Sequence, residues 1–460
     1  MKSEYDIIVA GAGLGGLTAA NRLARAGHRV LVAEQHSQIG GLATWFRRKG
    51  HIFDVALHGF PVGMRKSLRK YWGRELADQV AQVRSIRFHN PQYSLESSFD
   101  TADFSAKLTG HFGIPAQTVD AFFAELASMN YYDRRDETTG QLFQRLFPGR
   151  EDVWRFLMEP ITYANGSTLD EPAITYGIVF GNFMSEGVYT FVGGTDRMLE
   201  MMRNELAGNG VDVETCSRVE RAIADGGRIR AAMVNGKEIG CRALVFNGSL
   251  PRLVHEVAGD DCFSSEFLDG LSGVRLSTSS CQVYIGIKPG EKLPYIGDLL
   301  FTSTYPRFDS QALCSPNVTS RTYSVYYPEI RPGKGMYSIV ASMNARHEDW
   351  AGLSGEEYRA AKKRMTEDTL DALTAYVPNI RQICDCTEAA TPLTFGRYTG
   401  HLHGATFGTK FEGLKYSMEM GSQVGGLFHT GSVGIIMSGW LGAVNYGVIV
   451  ANNVDRYLRS

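Results

Sequence analysis

The stretch from Tyr5 to Glu34 reads YDIIVAGAGLGGLTAANRLARAGHRVLVAE and decides the fold around it. Residues 5–10 form a short apolar run that is typical of a buried parallel strand. A glycine-rich turn follows, and apolar residues then recur at helical spacing as far as Ala24. A second apolar run, residues 29–33, ends at the acid Glu34. This order of strand, turn, helix, strand and acid predicts a βαβ unit.

The turn carries the pattern G-x-G-x-x-G, in which each glycine has a separate purpose. Gly11 permits the tight turn, Gly13 lets the backbone approach a pyrophosphate, and Gly16 lets the helix lie close to the strand. The helix N-terminus offers free N–H groups to phosphates, and Glu34 would accept hydrogen bonds from a ribose diol while repelling a 2′-phosphate. We therefore expect a dinucleotide other than NADP, although a glycine-rich turn that binds nothing remains the alternative. The expected contacts in this turn are Gly11, Ala12, Gly13, Gly15 and Gly16.

A second pair of glycines, Gly40 and Gly41, lies shortly after Glu34 in EQHSQIGGLATWF. A simple NAD dehydrogenase has no need of such a pair. A flavoprotein does, because FAD lies extended and the chain after the second strand must pass close to its ribityl-pyrophosphate. The pair therefore favours FAD, and it adds the expected contacts Gln35, Gly40, Gly41, Leu42 and Ala43.

From this E-x5-G-G pattern onward the sequence resembles the FAD-dependent amine oxidase and phytoene desaturase superfamily, and most of all its branch of carotenoid desaturases, carotenoid isomerases and retinol-saturase-like proteins. The segments that carry the resemblance are GHIFD (50–54), YTFVGGTDRML (189–199), CSRVE (216–220), ALVFNGSLPR (243–252), TPLTFGRYTGHLHGATFG (391–408) and GLFHTGSVGIIMSGWLG (426–442). The resemblance implies an α/β fold, with a Rossmann-type FAD-binding domain and an inserted α+β substrate domain. It also implies that the backbone of Val219 binds adenine, and that the closing motif meets the flavin through Gly431, Ser432, Ser438, Gly439 and Trp440.

Two positions depart from the family pattern. Leu42 stands where the family often has Arg after the glycine pair, and Ser432 stands where an acid often follows the first glycine of the closing motif. We expect these two contacts with FAD to be weaker, or to be made by the backbone.

The composition of the 460-residue chain is that of an ordinary globular protein, with 43% apolar and 21% charged residues, and the length allows two domains. A net charge of −2 gives no case for binding nucleic acid. Seven cysteines without framework spacing favour reduced thiols in the cytoplasm, and Cys384-Asp-Cys386 lacks the spacing of a metal site. We expect no metal and, because the four residues before the first strand are few and polar, no signal peptide.

The uncharged run from Gly431 to Asn452 is long enough to raise the question of a membrane span. Its glycines and polar residues favour a turn that meets the flavin, followed by a buried helix over about 440–457.

The order of motifs predicts a discontinuous FAD-binding domain made of residues 1–62, 187–260 and 412–460, with 63–186 and 261–411 forming the substrate domain. In the first insert we expect helices at 66–83, 118–129 and 139–146. In the second we expect strands at 278–288, 321–327 and 336–344 and a long helix at 354–376.

His58 is the candidate catalytic residue, because the GHIFDVALH segment approaches the flavin ring in this family and its position is similar to that of a histidine in retinol-saturase-like sequences. The alternative is a histidine packed at a strand end. His401, His403, Arg397 and Tyr398 could also reach the site. The chain shows no second G-x-G-x-x-G unit for NADPH, so the electron acceptor stays open between oxygen, a quinone and another protein.

The substrate is expected to be a hydrophobic small molecule. The inserts hold aromatic residues that could line an apolar tunnel or form ordinary core: Phe122, Phe123, Tyr131, Tyr132, Phe180, Phe183, Tyr323, Tyr326 and Tyr327. The segment MRKSLRKYWGR (64–74) mixes basic and aromatic residues, which allows either a peripheral contact with the inner face of a membrane or a solvated helix.

Taken with the resemblance, these features predict an FAD-dependent oxidoreductase that acts on carbon–carbon bonds of an isoprenoid or polyene, with desaturation favoured over saturation or isomerisation. The alternatives are a flavin amine oxidase and a flavin-binding partner subunit without catalytic activity.

Overall fold

The computed structural model describes residues 1–56, 58–130, 136–331 and 335–460. In chain order its strands are β1 (Ile7–Ala10), β2 (Val30–Ala33), β3 (Trp45–Arg48), β4 (His51–Asp54), β5 (Phe60–Pro61), β6 (Val80–Gln82), β7 (Ile86–His89), β8 (Ser94–Ser97), β9 (Val188–Phe191), β10 (Asp212–Glu214), β11 (Val219–Asp225), β12 (Arg228–Val234), β13 (Lys237–Gly240), β14 (Ala243–Phe246), β15 (Ser279–Ile287), β16 (Leu299–Ser303), β17 (Ser320–Tyr326), β18 (Ser338–Ala345), β19 (Cys384–Ala390) and β20 (Leu427–His429).

The α-helices are α1 (Leu14–Arg25), α2 (Gly63–Tyr71), α3 (Arg74–Asp78), α4 (Thr101–Gly110), α5 (Ala116–Ser128), α6 (Thr139–Leu146), α7 (Glu151–Asn165), α8 (Ala173–Met184), α9 (Gly194–Gly208), α10 (Leu250–Arg252), α11 (Ser265–Ser272), α12 (Glu348–Ala351), α13 (Gly355–Leu373), α14 (Ile380–Ile383), α15 (Pro392–Thr399), α16 (Gly413–Met418), α17 (Met420–Gln423) and α18 (Gly439–Arg459).

A parallel sheet in the order β10-β2-β1-β14-β20 forms one centre of the molecule. Every residue of β1 and β2 is buried, as their unbroken apolar runs predict for strands covered on both faces. The predicted βαβ unit is confirmed, with α1 between these two strands, and so is the Rossmann-type α/β fold.

The C-terminal part of the chain completes this sheet. Strand β20 adds to its edge beside β14, and α18 then packs across α1. The helices approach so closely that a Cβ atom on Gly447 would stand 2.3 Å from the carbonyl oxygen of Gly15. Glycine at position 447 therefore lets the end of the chain reach the first turn. Among the described helices, none combines the length and the apolar character that crossing a bilayer requires.

A second sheet has the order β19-β15-β18-β17-β16-β7-β8, and all its pairs are antiparallel except β16 with β7. The predicted strands of the second insert correspond to β15, β17 and β18, and the predicted long helix corresponds to α13. One face of these strands is apolar and packs against α13. The other face carries Ser, Thr, Gln and Asn residues.

The prediction of a single helix over residues 66–83 is wrong. The chain forms α2, bends at Trp72 and Gly73, and continues as the short α3 and the strand β6. Gly73 has an extended backbone, with φ of 171°, which no α-helix can contain.

The hydrophobic cores do not follow the predicted domain bounds throughout. Leu68 of α2, Trp72 directly after that helix and Phe267 of α11 pack in the same core as β1, although the sequence placed residues 63–186 and 261–411 in the substrate domain. The division into two domains stays a prediction.

Candidate functional site

A single cavity of about 1160 Å³ runs from the glycine-rich turns to the second sheet. This volume exceeds the 300–1,000 Å³ or so that one drug-sized ligand fills, so it has room for a dinucleotide and a second molecule. The expected contact residues that line it are Gly11, Gly13, Gly15, Glu34, Gln35, Gly40, Gly41, Leu42, Ala43, His58, Val219, Gly431, Ser432, Ser438, Gly439 and Trp440. Ala12 and Gly16 stand behind this wall.

Glu34 holds the first turn in place. Its Oε2 accepts a hydrogen bond from the backbone N–H of Ala12 at 2.7 Å, and its Oε1 accepts one from the N–H of His36 at 2.9 Å. The carboxylate therefore ties the turn to the end of β2, and only its remaining lone pairs are left for a ribose diol.

The glycine pair at 40–41 packs directly on the first turn. The N–H of Gly40 donates to the carbonyl of Ala12 at 2.7 Å, and Gly40 has φ of +116°. A Cβ atom on Gly41 would lie 3.1 Å from the Cα of Gly13. The pair thus lets two backbone loops approach each other. This contact is a second physical reason for glycine at positions 40 and 41, which the sequence analysis explained only by the approach of the backbone to FAD.

Asn247 is a site residue for which the sequence analysis made no prediction. It follows β14 at the carboxyl edge of the parallel sheet, and its Nδ2 donates to the carbonyl of Gly11 at 3.2 Å. A Cβ atom on Gly13 would stand 2.7 Å from the same Nδ2. The signal was the Asn-Gly turn after a buried strand, since ligands of such sheets bind at this edge.

The closing motif supplies the opposite wall. The Ser438 hydroxyl lies 2.6 Å from the carbonyl of Gly434 and 3.1 Å from that of Phe407, so it fixes the turn before α18. Trp440 stacks on Phe60, with ring centroids 5.6 Å apart. Leu42 lies partly buried against the core around Phe53, where it packs as an apolar side chain.

These residues fit a bound FAD. The two glycine-rich turns, the N-terminus of α1 and the backbone at Val219 border one continuous groove that leads to the closing motif. They would hold the pyrophosphate at the helix N-terminus and the adenine beside Val219.

The inner part of the cavity lies between α7, α8 and the second sheet. Its apolar lining comes from Pro160, Ile161, Ile178, Val179, Phe183 and Phe301. All the described lining residues that α7, α8 and β15 to β18 contribute are uncharged. A charged ligand group would find no oppositely charged partner on these elements, and an apolar ligand would be well matched.

His58 faces this inner part from the segment between β4 and β5. Its Nδ1 is hydrogen-bonded to Ser324 Oγ at 2.6 Å, and its Nε2 to Ser342 Oγ at 2.8 Å. Burial away from bulk solvent lowers the pKa of His58 to about 4. The imidazole is therefore neutral at physiological pH, with both nitrogens held by hydroxyl groups.

The other candidate residues divide between the cavity and the surface. Arg397 and Tyr398 line the cavity, as does His401, whose Nδ1 is bonded to the carbonyl of Ala405 at 2.7 Å. Burial lowers the pKa of His401. His403 is exposed and stacks on His347 outside the cavity.

Most of the aromatic residues that could have lined a tunnel form core instead. Phe183 lines the cavity, whereas the other described members pack in hydrophobic clusters. Tyr131 and Tyr132 lie outside the described residues.

A buried ion pair supports the wall from behind. Arg331 contacts the Asp54 carboxylate and also pairs with Asp196 at 3.0 Å. The backbone N–H of Thr195 donates to Asp54 Oδ1 at 2.9 Å. Because these groups join β4 to the start of α9, they fix the strand that precedes His58.

The segment Cys384-Asp-Cys386 lies next to His51. His51 Nε2 is hydrogen-bonded to Asp385 Oδ2 at 3.0 Å, which ties β4 to β19. Ligand atoms of His51, Asp385 and Cys386 lie within 4.8 Å of one another.

Residues 14–365 match the model of the flavin-containing amine oxidoreductase family. The chain belongs to this family. It is thus a flavin-containing oxidoreductase, and its cofactor is FAD, in agreement with the fit of the groove.

Known proteins of different activities are similar to this chain. A chloroplastic prolycopene isomerase from Daucus carota is 22% identical over 456 residues, which cover 89% of this chain and 72% of the relative. A zeta-carotene-forming phytoene desaturase from Myxococcus xanthus is 25% identical over 321 residues, covering 61% of this chain and 60% of the relative. The solved structure of cyclohexylamine oxidase from Brevibacterium oxydans superimposes with a TM-score of 0.68 at 14% identity, covering 99% of this chain and all of that one. At this identity the structural likeness shows the fold alone.

Proposed function

We propose that this oxidoreductase acts on carbon–carbon bonds of a hydrophobic isoprenoid or polyene, with desaturation favoured over saturation or isomerisation. The observation that carries the proposal is the uncharged, largely apolar inner cavity, which is continuous with the groove that fits FAD. The relatives that act on carotenoids support the same substrate class.

FAD supplies, when bound, a ring that accepts or donates a hydride. The protein's part is to bind and orient the substrate and to exclude water. Ile161, Val179 and Phe301 offer apolar surface to the chain of the substrate. His58 is held neutral between Ser324 and Ser342, so it can orient a hydrogen bond in the cavity without bringing a charge into it. We therefore assign His58 the role of positioning Ser342, which borders the cavity.

The test begins with purified holoprotein under anaerobic conditions. We expect an absorption spectrum typical of bound oxidised flavin, and bleaching of that spectrum when a polyene with saturated CH–CH bonds, such as phytoene, is added. Bleaching by an aliphatic amine but not by the polyene would show an amine oxidase instead. A flavin spectrum that no polyene or amine changes, in either redox state, together with no isomerisation of the polyene, would indicate a flavin-binding subunit without catalytic activity.

A matched pair of variants locates the reaction in the inner cavity. Val179→Glu places a charge on the lining part of α8, and we expect it to abolish bleaching by phytoene while leaving the flavin spectrum intact. Ser185→Glu adds the same charge at the exposed end of that helix and should behave like the wild type. Equal activity of both variants would place the substrate elsewhere.

Contact with a membrane is a separate proposal. The exposed face of α2 carries Arg65, Lys66, Arg69 and Lys70, whereas Leu68 and Trp72 are buried in the core and cannot insert into lipid. Any contact through α2 would thus be electrostatic. It would appear as sedimentation with vesicles containing anionic lipid at low salt, and it would be lost at high salt.

A further inference from the structure

The inner face of the second sheet carries a row of polar residues that borders the cavity. A ligand made only of hydrocarbon would bind better to apolar residues at these positions. Backbone pairing places Gln282 of β15 opposite Ser342 of β18, and Ser342 opposite Thr322 of β17. The row continues into Ala390 on one side and Phe301 on the other. All five residues line the cavity, so its wall is apolar at both ends of the row and polar in the middle.

Part of this polar row is satisfied within the protein. The Ser342 hydroxyl is bonded to His58, and the Gln282 carbonyl oxygen accepts a hydrogen bond from the Tyr284 hydroxyl. The imidazole of His58 thereby fixes one member of the row, and Tyr284 fixes another.

Two groups of the row have no partner among the described residues. The amide nitrogen of Gln282 makes no hydrogen bond there, and the buried hydroxyl of Thr322 is unpaired as well. Buried polar groups in native proteins nearly always have a partner, which can be a ligand or water. Gln282 and Thr322 are each nine-tenths or more buried, at 4% exposure, and both residues line the cavity, which is therefore the place where a ligand could supply a partner.

Charge decides what kind of partner the row accepts. The lining residues of α7, α8 and β15 to β18 include no acid or base, and His58 is neutral at physiological pH. Glu388 of β19 also lines the cavity, but its carboxylate is already paired with Arg48 at 3.0 Å. A carboxylate or an ammonium group would be buried there without a counter-ion, which is costly. An uncharged oxygen atom can accept from the Gln282 amide and, if it belongs to a hydroxyl, can also donate.

We propose that the substrate is an apolar chain that carries an uncharged oxygen group, an alcohol or a carbonyl, and that this group binds at the row formed by Gln282, Ser342 and Thr322. This inference rests on the proposed function, because it takes the rest of the inner cavity to hold the apolar chain.

The test compares two ligands of one length, a C20 polyprenyl alcohol and the C20 hydrocarbon that lacks only the oxygen. Binding is measured on anaerobic holoprotein through quenching of the protein fluorescence. We expect the wild type to bind the alcohol about tenfold more tightly than the hydrocarbon, as one well-placed hydrogen bond provides.

Two variants remove the unpaired groups with little change of shape. Gln282→Leu and Thr322→Val should each reduce the preference for the alcohol, to near unity for Gln282→Leu, while binding the hydrocarbon as well as the wild type does. Thr302→Val is the control, since Thr302 alternates with Phe301 on β16 and bonds to the carbonyl of Arg321 outside the cavity. It should keep the wild-type preference.

The outcomes separate this inference from the proposed function. Tight binding of the hydrocarbon with no preference for the alcohol, or a preference that survives in both variants, would overturn the inference and leave the polyene proposal standing. Failure of both ligands to bind, together with no bleaching by phytoene, would overturn both.

Discussion

The state of His58 gives a prediction whose size follows from the structure. Its pKa falls from 6.5 in an unfolded chain to about 4 in the folded protein, because burial disfavours the charged imidazole. Between these two values the unfolded state binds more protons than the folded state. The stability that the neutral imidazole contributes is thus complete above pH 6.5. It declines progressively as the pH falls below 6.5, and it is lost once the pH has fallen through about 4.

The magnitude can be worked out for a single group. The wild type should lose about 2 kcal/mol of unfolding free energy between pH 7 and pH 5 through His58 alone, and about 3 kcal/mol once the pH is below 4. His58→Gln keeps a polar side chain but cannot take up the proton. The difference in stability between the wild type and this variant should therefore shrink by about 2 kcal/mol from pH 7 to pH 5.

The assay is urea unfolding at closely spaced pH values between 4.5 and about 8, followed by flavin and tryptophan fluorescence. Subtracting the stability of His58→Gln from that of the wild type at each pH cancels the contributions of other buried groups. One such group is His429, whose pKa is also lowered by burial to about 4. Lys70→Gln changes an exposed residue of α2 and serves as the control, with a curve parallel to that of the wild type. A difference between the wild type and His58→Gln that is independent of pH would refute a neutral His58 in the cavity wall.

Three further variants test the frame of the site. Glu34→Gln replaces one acceptor oxygen by an NH2 group, which would face a backbone N–H without bonding to it. We therefore expect about 1–3 kcal/mol lower stability and faster release of FAD, monitored by flavin fluorescence. Gly447→Ala forces a Cβ onto the backbone of the first turn and should cost about 1–3 kcal/mol in a thermal-shift assay, whereas Gly181→Ala, with open space around it, should be neutral or stabilising. Asp54→Ala should cost about 3 kcal/mol in urea unfolding, and adding Arg331→Met should cost less than the sum of the single changes, since a buried charge that has lost one of its two partners is worse than none.

The parts of the site that were predictable are local in sequence. The first turn, Glu34 and the glycine pair lie within one stretch, where the spacing of glycines and apolar residues is fixed by the geometry of a strand and a helix. The break at Gly73 was missed because Leu68, Tyr71 and Trp72 continue a helical pattern up to it.

The polar row could not be predicted, for a different reason. Gln282, Thr322 and Ser342 lie on three strands that are distant in sequence and meet only through antiparallel pairing. Alternation of polar and apolar residues shows that a strand has two unlike faces, and it normally means that the polar face meets solvent. Here that face borders an internal cavity, which only the tertiary structure reveals.

The same limit applies to His58 and Asp54. His58 was singled out in the sequence and Asp54 ends the quoted segment GHIFD, but their partners Ser324, Ser342 and Arg331 come from the second half of the chain.

The joining of β20 and α18 to the first turn has a consequence for how the protein is made. About 400 residues separate Gly16 from β20, so at about 5–20 residues per second a ribosome needs roughly 20–80 s between them. From the synthesis of β14 until β20 emerges, about 180 residues later, the outer edge of β14 is unpaired and wholly apolar, and the groove for FAD lacks one wall. Nascent chains should therefore depend on chaperones until α18 has emerged, and the holoprotein can form only after that point.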